Sequence, residues 1–194
     1  MPEPLFSRPT ACNQLLACSR RGFLQRATGA ALATSAVWPA GAQPAAAPAY
    51  QVSPWRGPLP ALGLVDTTGK TWQTSDLQGR AVLLNFWASW CPPCRAEMPS
   101  LQAVATLYGP DQLLVLAVNF KETASRAIKF ASTTGVSLPV LLDSDGKFAA
   151  QHFVKVFPTT LTLDFKGRPQ QRVTGEVDWT SREAESLITG LLKP

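Results

Sequence analysis

The residues best suited to chemistry are two cysteines separated by two prolines, in the segment Trp90-Cys91-Pro92-Pro93-Cys94. A Cys-x-x-Cys pair that follows a buried strand and opens a helix is typical of a redox centre. One thiolate attacks a substrate disulfide, and the second cysteine resolves the mixed disulfide that forms. The spacing therefore predicts thiol–disulfide chemistry, with a redox-active Cys91–Cys94 disulfide.

The positions of the two cysteines in the helix that this segment opens indicate which one attacks and which one resolves. At a helix start, the Cys91 sulfur faces unpaired backbone N–H groups and the positive end of the helix dipole, and both favour the thiolate. Cys94 lies one turn deeper, so we expect Cys91 to attack and Cys94 to resolve. Pro92 and Pro93 have no N–H. We therefore expect only a moderately lowered pKa for Cys91 and a weakly oxidising centre.

Two other interpretations of the pair stay open, a zinc half-site and an inert structural disulfide. Zinc needs further ligands, and His152 is the only histidine in the sequence. We expect His152 to be a helix-surface or packing residue rather than a ligand. The sequence thus predicts neither a metal nor a cofactor.

Alternating strands and helices are expected to position the cysteines. The apolar runs in Arg80–Trp87 and Leu113–Val118 are typical of strands buried on two faces, and the helix Pro92–Tyr108 joins them into a strand–helix–strand unit. Further strands are predicted at Ala61–Val65, Thr71–Gln73, Val140–Leu142, Thr159–Leu163 and Gln171–Thr174, and helices at Thr123–Thr134 (with Ala127, Ile128 and Phe130 inward), Phe148–Val154 and Ser181–Leu192. This order predicts an α/β fold, a mixed central sheet with helices on both faces.

Composition and charge exclude several classes of protein. The 194 residues are 45% hydrophobic, which is enough for a core and excludes disorder of the whole chain. Of the net charge of +5, residues 1–42 carry +3 and the rest only +2, without a run of Lys or Arg. We therefore expect no nucleic-acid partner. No stretch has eighteen consecutive apolar residues, so no ordinary membrane-spanning helix is predicted.

The first segment has the layout of an export signal. Ser19-Arg20-Arg21-Gly22-Phe23-Leu24 precedes a short, weakly apolar run and a small-residue cleavage site. The Arg-Arg pair resembles the twin-arginine signal, which implies export to the periplasm; a disordered arm with a chance Arg-Arg is the alternative. We expect a signal peptide at 1–42, a flexible Ala/Pro-rich linker at 43–54 and one domain at 55–194.

The run from Asn85 to Pro99 resembles the thioredoxin superfamily and, more narrowly, the TlpA-like (ResA- or DsbE-type) periplasmic disulfide reductases of cytochrome c maturation. The similarity extends from about Leu59 to the C-terminus. It implies a thioredoxin-like fold with a four- to five-stranded mixed sheet and flanking helices. It also implies an extra strand and helix within Val140–Val154.

The resemblance also implies roles for individual residues. Phe157-Pro158-Thr159-Thr160 matches the family's cis-proline loop, in which the proline packs beside the Cys-x-x-Cys and neighbouring backbone pairs with the substrate. Trp90, Phe157, Pro158 and Thr159 are therefore expected to dock the substrate. A trans-proline at the start of an edge strand is the alternative.

Glu97 matches an acidic residue of the TlpA-like subgroup, and Asn85 stands where thioredoxins carry a buried Asp. Because residues i and i+3 share a helix face, Glu97 is expected near Cys94, where it would carry the proton of that thiol with a pKa raised by burial. Its negative charge would also disfavour the thiolate. The alternative is an exposed first-turn acid that complements the helix dipole.

Taken together, these residues predict a monomeric thiol–disulfide oxidoreductase that reduces protein disulfides outside the cytoplasm. By resemblance, its pathway is cytochrome c maturation or copper-centre assembly, its substrate a disulfide-bearing protein and its electron source a membrane thiol donor. The alternative is a copper-handling protein of the Sco type, which uses Cys-x-x-x-Cys plus a histidine; the cysteine spacing in this chain is one residue shorter.

Overall fold

The computed structural model describes residues 49–58 and 61–192, which form a six-stranded sheet, a separate two-stranded hairpin and four α-helices. The predicted signal with Arg20 and Arg21, and positions 43–48 of the predicted linker, lie outside the described residues. In chain order the elements are β1 Tyr50–Pro54, β2 Gly63–Val65, β3 Thr71–Gln73, a one-turn 3-10 helix Thr74–Leu77, β4 Ala81–Trp87, α1 Pro92–Tyr108, β5 Leu113–Phe120, α2 Ala124–Thr134, β6 Val140–Asp143, α3 Lys147–Gln151, β7 Thr159–Leu163, β8 Pro169–Gly175 and α4 Arg182–Leu191.

The central sheet is mixed, in the order β1-β8-β7-β4-β5-β6. Strand β4 pairs in parallel with β5 and antiparallel with β7, so that Asn85 lies opposite Ala117 on one side and Thr160 on the other. Helix α1 connects the two parallel strands. This arrangement confirms the predicted α/β fold with a mixed sheet.

Strand β4 is buried along its whole length because both faces of the sheet are covered. Its alternate side chains enter two cores. Leu83 and Trp87 pack on the face covered by α1, α2 and α4, while Leu84 and Phe86 pack on the face covered by α3, the 3-10 helix and the hairpin β2–β3. The prediction of helices on both faces is confirmed.

The predicted flexible linker is wrong at residues 50–54, which form the edge strand β1. This strand runs antiparallel to β8, with Tyr50 opposite Gly175. Four of its five side chains are exposed, so it carries no apolar pattern, and backbone pairing to a distant segment holds it. The folded unit therefore includes residues before the predicted start at 55, and the sheet has six strands instead of four to five.

Two local expectations also need correction. Ile128 is 46% exposed, whereas Ala127 and Phe130 are buried, because residues three apart share a helix face and Ile128 points away from it. The short helix expected over Phe148–Val154 is α3, which ends earlier, at Gln151. Among residues 49–58 and 61–192, no helix is long and apolar enough to cross a membrane.

Candidate active site

The two cysteines lie where β4 gives way to α1, as the sequence predicts. A tight turn after the strand places Cys91 at the N-cap of α1, with its N–H donating to the Ala88 carbonyl at 3.1 Å. Pro92 and Pro93 form the first helical positions, where a missing N–H costs no helical hydrogen bond. Cys91 and Cys94 form a disulfide in this structure.

The two cysteines differ in solvent exposure and in the hydrogen bonds at their sulfur atoms. Cys91 is 4% exposed and Cys94 is completely buried, so only Cys91 reaches the surface. The Cys91 Sγ accepts a hydrogen bond from the N–H of Cys94 at 3.3 Å. The prolines at 92 and 93 can offer none. The site thus supports a thiolate at Cys91 through one backbone donor and the helix dipole.

Aromatic rings bring the loop of Pro158 beside the loop of Cys91. Trp90 is 55% exposed, and its ring centroid lies 6.0 Å from that of Phe157 in an edge-on contact. Phe157 also packs on Phe120 at 4.7 Å. The Phe157–Pro158 peptide is cis, as the resemblance implies and contrary to the trans alternative.

Thr159 is placed differently from the other expected docking residues. Its side chain is buried and its hydroxyl donates to the Val156 carbonyl at 2.8 Å. A substrate can therefore reach Thr159 only through its backbone. Its role in docking stays a prediction.

Glu97 is buried, at 2% exposure, and is not the exposed first-turn acid of the alternative interpretation. Its Oε1 accepts a hydrogen bond from Asn85 Nδ2, and its Oε2 accepts one from the Val177 N–H at 3.1 Å. Removal from water raises the pKa of Glu97 from 4.5 to about 8, although these two donors oppose the rise. In the disulfide form, Glu97 is therefore mostly a neutral acid at pH 7.

A surface cavity of about 480 Å³ borders Glu97. Ser100, Glu176 and Asp178 line the cavity together with Glu97. The nearby charge of Glu176 adds to the rise in the Glu97 pKa.

Glu122 is a residue of the site that the sequence did not reveal. Its carboxylate accepts the N–H of Ser89 at 2.7 Å and the Ser89 hydroxyl at 2.6 Å, and it also binds Asn119 Nδ2 at 2.8 Å and Arg126 Nε at 3.1 Å. Burial opposes ionisation, but these donors outweigh it and lower the Glu122 pKa. A charged carboxylate thereby holds the loop that carries Trp90 and Cys91. No sequence motif indicates this role, because it depends on a contact with Ser89, which is distant in sequence.

His152 lies away from the cysteines, among the rings of Trp55, Phe86 and Phe148. It is buried, and neither ring nitrogen has a partner in the described residues. Burial, aided by the charge of Arg172, lowers its pKa to about 4. His152 is thus a packing residue, which was one of the two expected roles. In the part of the chain that the structure describes, no three His, Cys, Asp or Glu side chains are grouped to hold a metal.

Comparison with known proteins agrees with this geometry. The Redoxin family model matches residues 45–188. The chain is 39% identical over 132 residues to the thioredoxin-like protein YneN of Bacillus subtilis, covering 66% of this chain and 75% of that protein. It is 34% identical over 138 residues to the thiol-disulfide oxidoreductase ResA of the same organism, covering 70% and 74%. 

A solved structure supports the same assignment. The crystal structure named as a thiol:disulfide interchange protein DsbE from Chlorobium tepidum superposes with a TM-score of 0.64 at 30% identity, covering 70% of this chain and 95% of that one. The chain therefore belongs to the Redoxin family, as a thioredoxin-like thiol–disulfide oxidoreductase of the TlpA/ResA/DsbE type.

Proposed function

We propose that this oxidoreductase works as a reductase of protein disulfides outside the cytoplasm. The observation that carries the proposal is the asymmetry of the cysteine pair. Cys91 reaches the surface and receives one backbone donor at its sulfur, while Cys94 is completely buried behind it. A thiolate with few donors is a poorly stabilised reduced form, and such a centre gives electrons readily.

The reaction follows from these positions. The Cys91 thiolate attacks one sulfur of the substrate disulfide, forming a mixed disulfide and releasing a substrate thiolate that takes up a proton. Cys94 then loses its proton and attacks Cys91 Sγ, which closes the Cys91–Cys94 disulfide and releases the second substrate thiolate. Two electrons pass from the enzyme dithiol to the substrate.

Glu97 is proposed to accept the proton of Cys94 in the second step. It lies three residues after Cys94 on α1, so the two residues share a helix face. A carboxylate that has taken this proton becomes the neutral acid, and the neutral acid is the form that burial favours in the disulfide state. The cavity that Glu97 lines with Glu176 and Asp178 is the proposed route of this proton to solvent.

Trapping experiments test the order of attack. With Cys94→Ser, mixed disulfides should accumulate through Cys91, because no thiol remains to resolve them. With Cys91→Ser, reduction of a model protein disulfide by a dithiol donor should cease without trapping. Accumulation through Cys94 in Cys91→Ser would reverse the assigned roles.

The reduction potential tests the direction of electron flow. We expect a value more negative than about −180 mV, the potential typical of an isomerase. A potential near about −120 mV, that of a strong periplasmic oxidant, would contradict the reductase proposal.

The cellular setting extends this proposal. The segment Ser19–Leu24 supports export through the twin-arginine route, and by resemblance the pathway is cytochrome c maturation or copper-centre assembly, with electrons from a membrane thiol donor. Mass spectrometry of partners trapped by Cys94→Ser in cells would identify the substrate. Recovery of proteins unrelated to either pathway would contradict that part of the proposal. No observation favours the Sco-type alternative, since His152 is enclosed by aromatic rings.

A further inference from the structure

Asn85 is a completely buried polar residue beside Glu97, and its contacts are unequal. Its Nδ2 donates to Glu97 Oε1 and to Thr160 Oγ1, the latter at 3.0 Å. Its Oδ1 is also buried, yet it has no partner in the described residues. A buried carbonyl oxygen without a donor costs free energy, so the amide is not fully satisfied in this orientation, and a reversed amide would place its NH₂ group at that position instead.

The two protonation states of Glu97 require opposite partners. A carboxylate can only accept hydrogen bonds, whereas a carboxylic acid must donate one. The Val177 N–H occupies Oε2, so the proton of the acid is placed on Oε1, the oxygen that faces Asn85. With the Asn85 amide oriented as in this structure, that proton would face the NH₂ group of Asn85, which cannot accept a hydrogen bond.

We propose that Asn85 is a positioning residue whose side-chain amide reverses with the protonation state of Glu97. With the carboxylate, Nδ2 donates to Oε1; with the acid, Oδ1 turns to accept the proton of Oε1. Thr160 can follow both orientations because a hydroxyl both accepts and donates. Each state of Glu97 thereby keeps a partner without movement of the backbone.

Other groups near Glu97 cannot serve as hydrogen-bond partners for both of its protonation states. Cys94 on α1 is bound in the disulfide, Glu176 and Asp178 across the cavity carry negative charge, and Val177 offers only a donor. An amide alone has a donor and an acceptor that exchange places on rotation. This inference rests on the proposed role of Glu97 as proton carrier and deepens it. Asn85 gives Glu97 a hydrogen-bond partner both before it takes up the proton and after.

The neighbouring strand offers a matched comparison. Asn119 on β5 is also completely buried, donates from Nδ2 to Glu122 Oε2 at 2.8 Å, and has an Oδ1 without a partner in the described residues. Glu122, however, has a lowered pKa and stays ionised. The Asn119 amide therefore has no reason to reverse at neutral or alkaline pH.

Nuclear magnetic resonance of the oxidised protein tests the proposal directly. The carboxyl carbon of Glu97 reports its titration, and nuclear Overhauser effects from the Asn85 NH₂ protons to Thr160 report the orientation of the amide. These effects should be strong above the Glu97 midpoint and fall at least twofold below it, while those of the Asn119 NH₂ group stay constant. Effects from Asn85 that stay constant through the midpoint would overturn the proposal.

Variants provide an independent test in the same titration. Asn85→Asp keeps an acceptor for the acid but places a like charge beside the carboxylate, so it should raise the Glu97 midpoint by about one pH unit or more. Asn85→Leu removes the partner of both protonation states, so it should shift the midpoint by less than Asn85→Asp does. Asn119→Asp should leave that midpoint unchanged. An unchanged midpoint in Asn85→Asp, a rise in Asn85→Leu as large as in Asn85→Asp, or an equal rise in Asn119→Asp would refute the role. Because neither titration measures activity, failure here is distinct from failure of the proposed function, which the trapping experiments and the reduction potential test.

Discussion

Glu97→Gln should make the oxidised protein more stable at alkaline pH. The folded protein holds the Glu97 proton up to pH about 8, whereas the unfolded chain releases it near 4.5. A raised pKa contributes stability that is full below 4.5 and is lost as pH rises through 8. Glutamine keeps the size of the neutral acid but does not ionise, so the variant does not suffer this loss.

The magnitude follows from linkage between the two pKa values. Between pH 5 and pH 9, the wild type should lose about 4 kcal/mol of unfolding free energy relative to Glu97→Gln. With a urea dependence of about 2 kcal/mol per molar, the two denaturation midpoints should separate by about 2 M over this range. The oxidised form is the right sample because disulfide cysteines do not titrate, and His152 titrates equally in both proteins.

Urea denaturation at one-unit steps from pH 5 to pH 9 measures the effect. Glu122→Gln is the matched control, since Glu122 is also buried but has a lowered pKa. The Glu122 carboxylate contributes stability that is present above pH 4.5 and lost on acidification. Glu122→Gln should therefore have a lower free energy of unfolding than the wild type at neutral pH, and the two free energies should become equal in acid. Parallel curves for Glu97→Gln and the wild type would show that Glu97 does not hold a proton in the folded protein.

Three further outcomes are expected. Relative to His152→Phe, the wild type should lose up to about 3 kcal/mol of stability as pH falls from 6.5 to 4, because the unfolded chain protonates His152 and the folded one resists it; an equal pH dependence of the two proteins in urea titrations would contradict this. Glu122→Gln should raise KM for a protein disulfide about tenfold with a smaller change in kcat, since the loop of Trp90 loses a hydrogen bond to a charged group; an unchanged KM would count against this role. Arg20 and Arg21 changed to Lys should leave full-length precursor in the cytoplasm, and normal processing would contradict the twin-arginine proposal.

Local patterns in the sequence predicted the parts of the fold that local contacts determine. The continuous apolar runs of β4 and β5 and the Pro-Pro start of α1 are such signals, and the structure confirms all three elements. Strand β1 was not predicted, because its side chains are mostly exposed and its partner β8 lies more than a hundred residues away in sequence. An edge strand held by backbone hydrogen bonds leaves little trace in side-chain type.

The same division applies to the site. Cys91 and Cys94 were predictable from spacing, and Pro158 and Glu97 from the resemblance of the surrounding motifs. The position of Glu122 was not predictable, because its role arises from contact with Ser89 across two loops. Asn85 looked like a departure from the thioredoxin pattern, and only the structure shows that its amide contacts Glu97.

The charge state of Glu97 changes the explanation for a reducing centre. The sequence suggested that a Glu97 carboxylate would disfavour the Cys91 thiolate, but with a pKa of about 8 only about one molecule in ten carries that charge at pH 7 in the disulfide form. Glu122, a second buried carboxylate beside the cysteine loop, has a lowered pKa, binds Ser89 two residues before Cys91 and forms an ion pair with the exposed Arg126. The low support for the thiolate therefore rests on the missing N–H groups of Pro92 and Pro93.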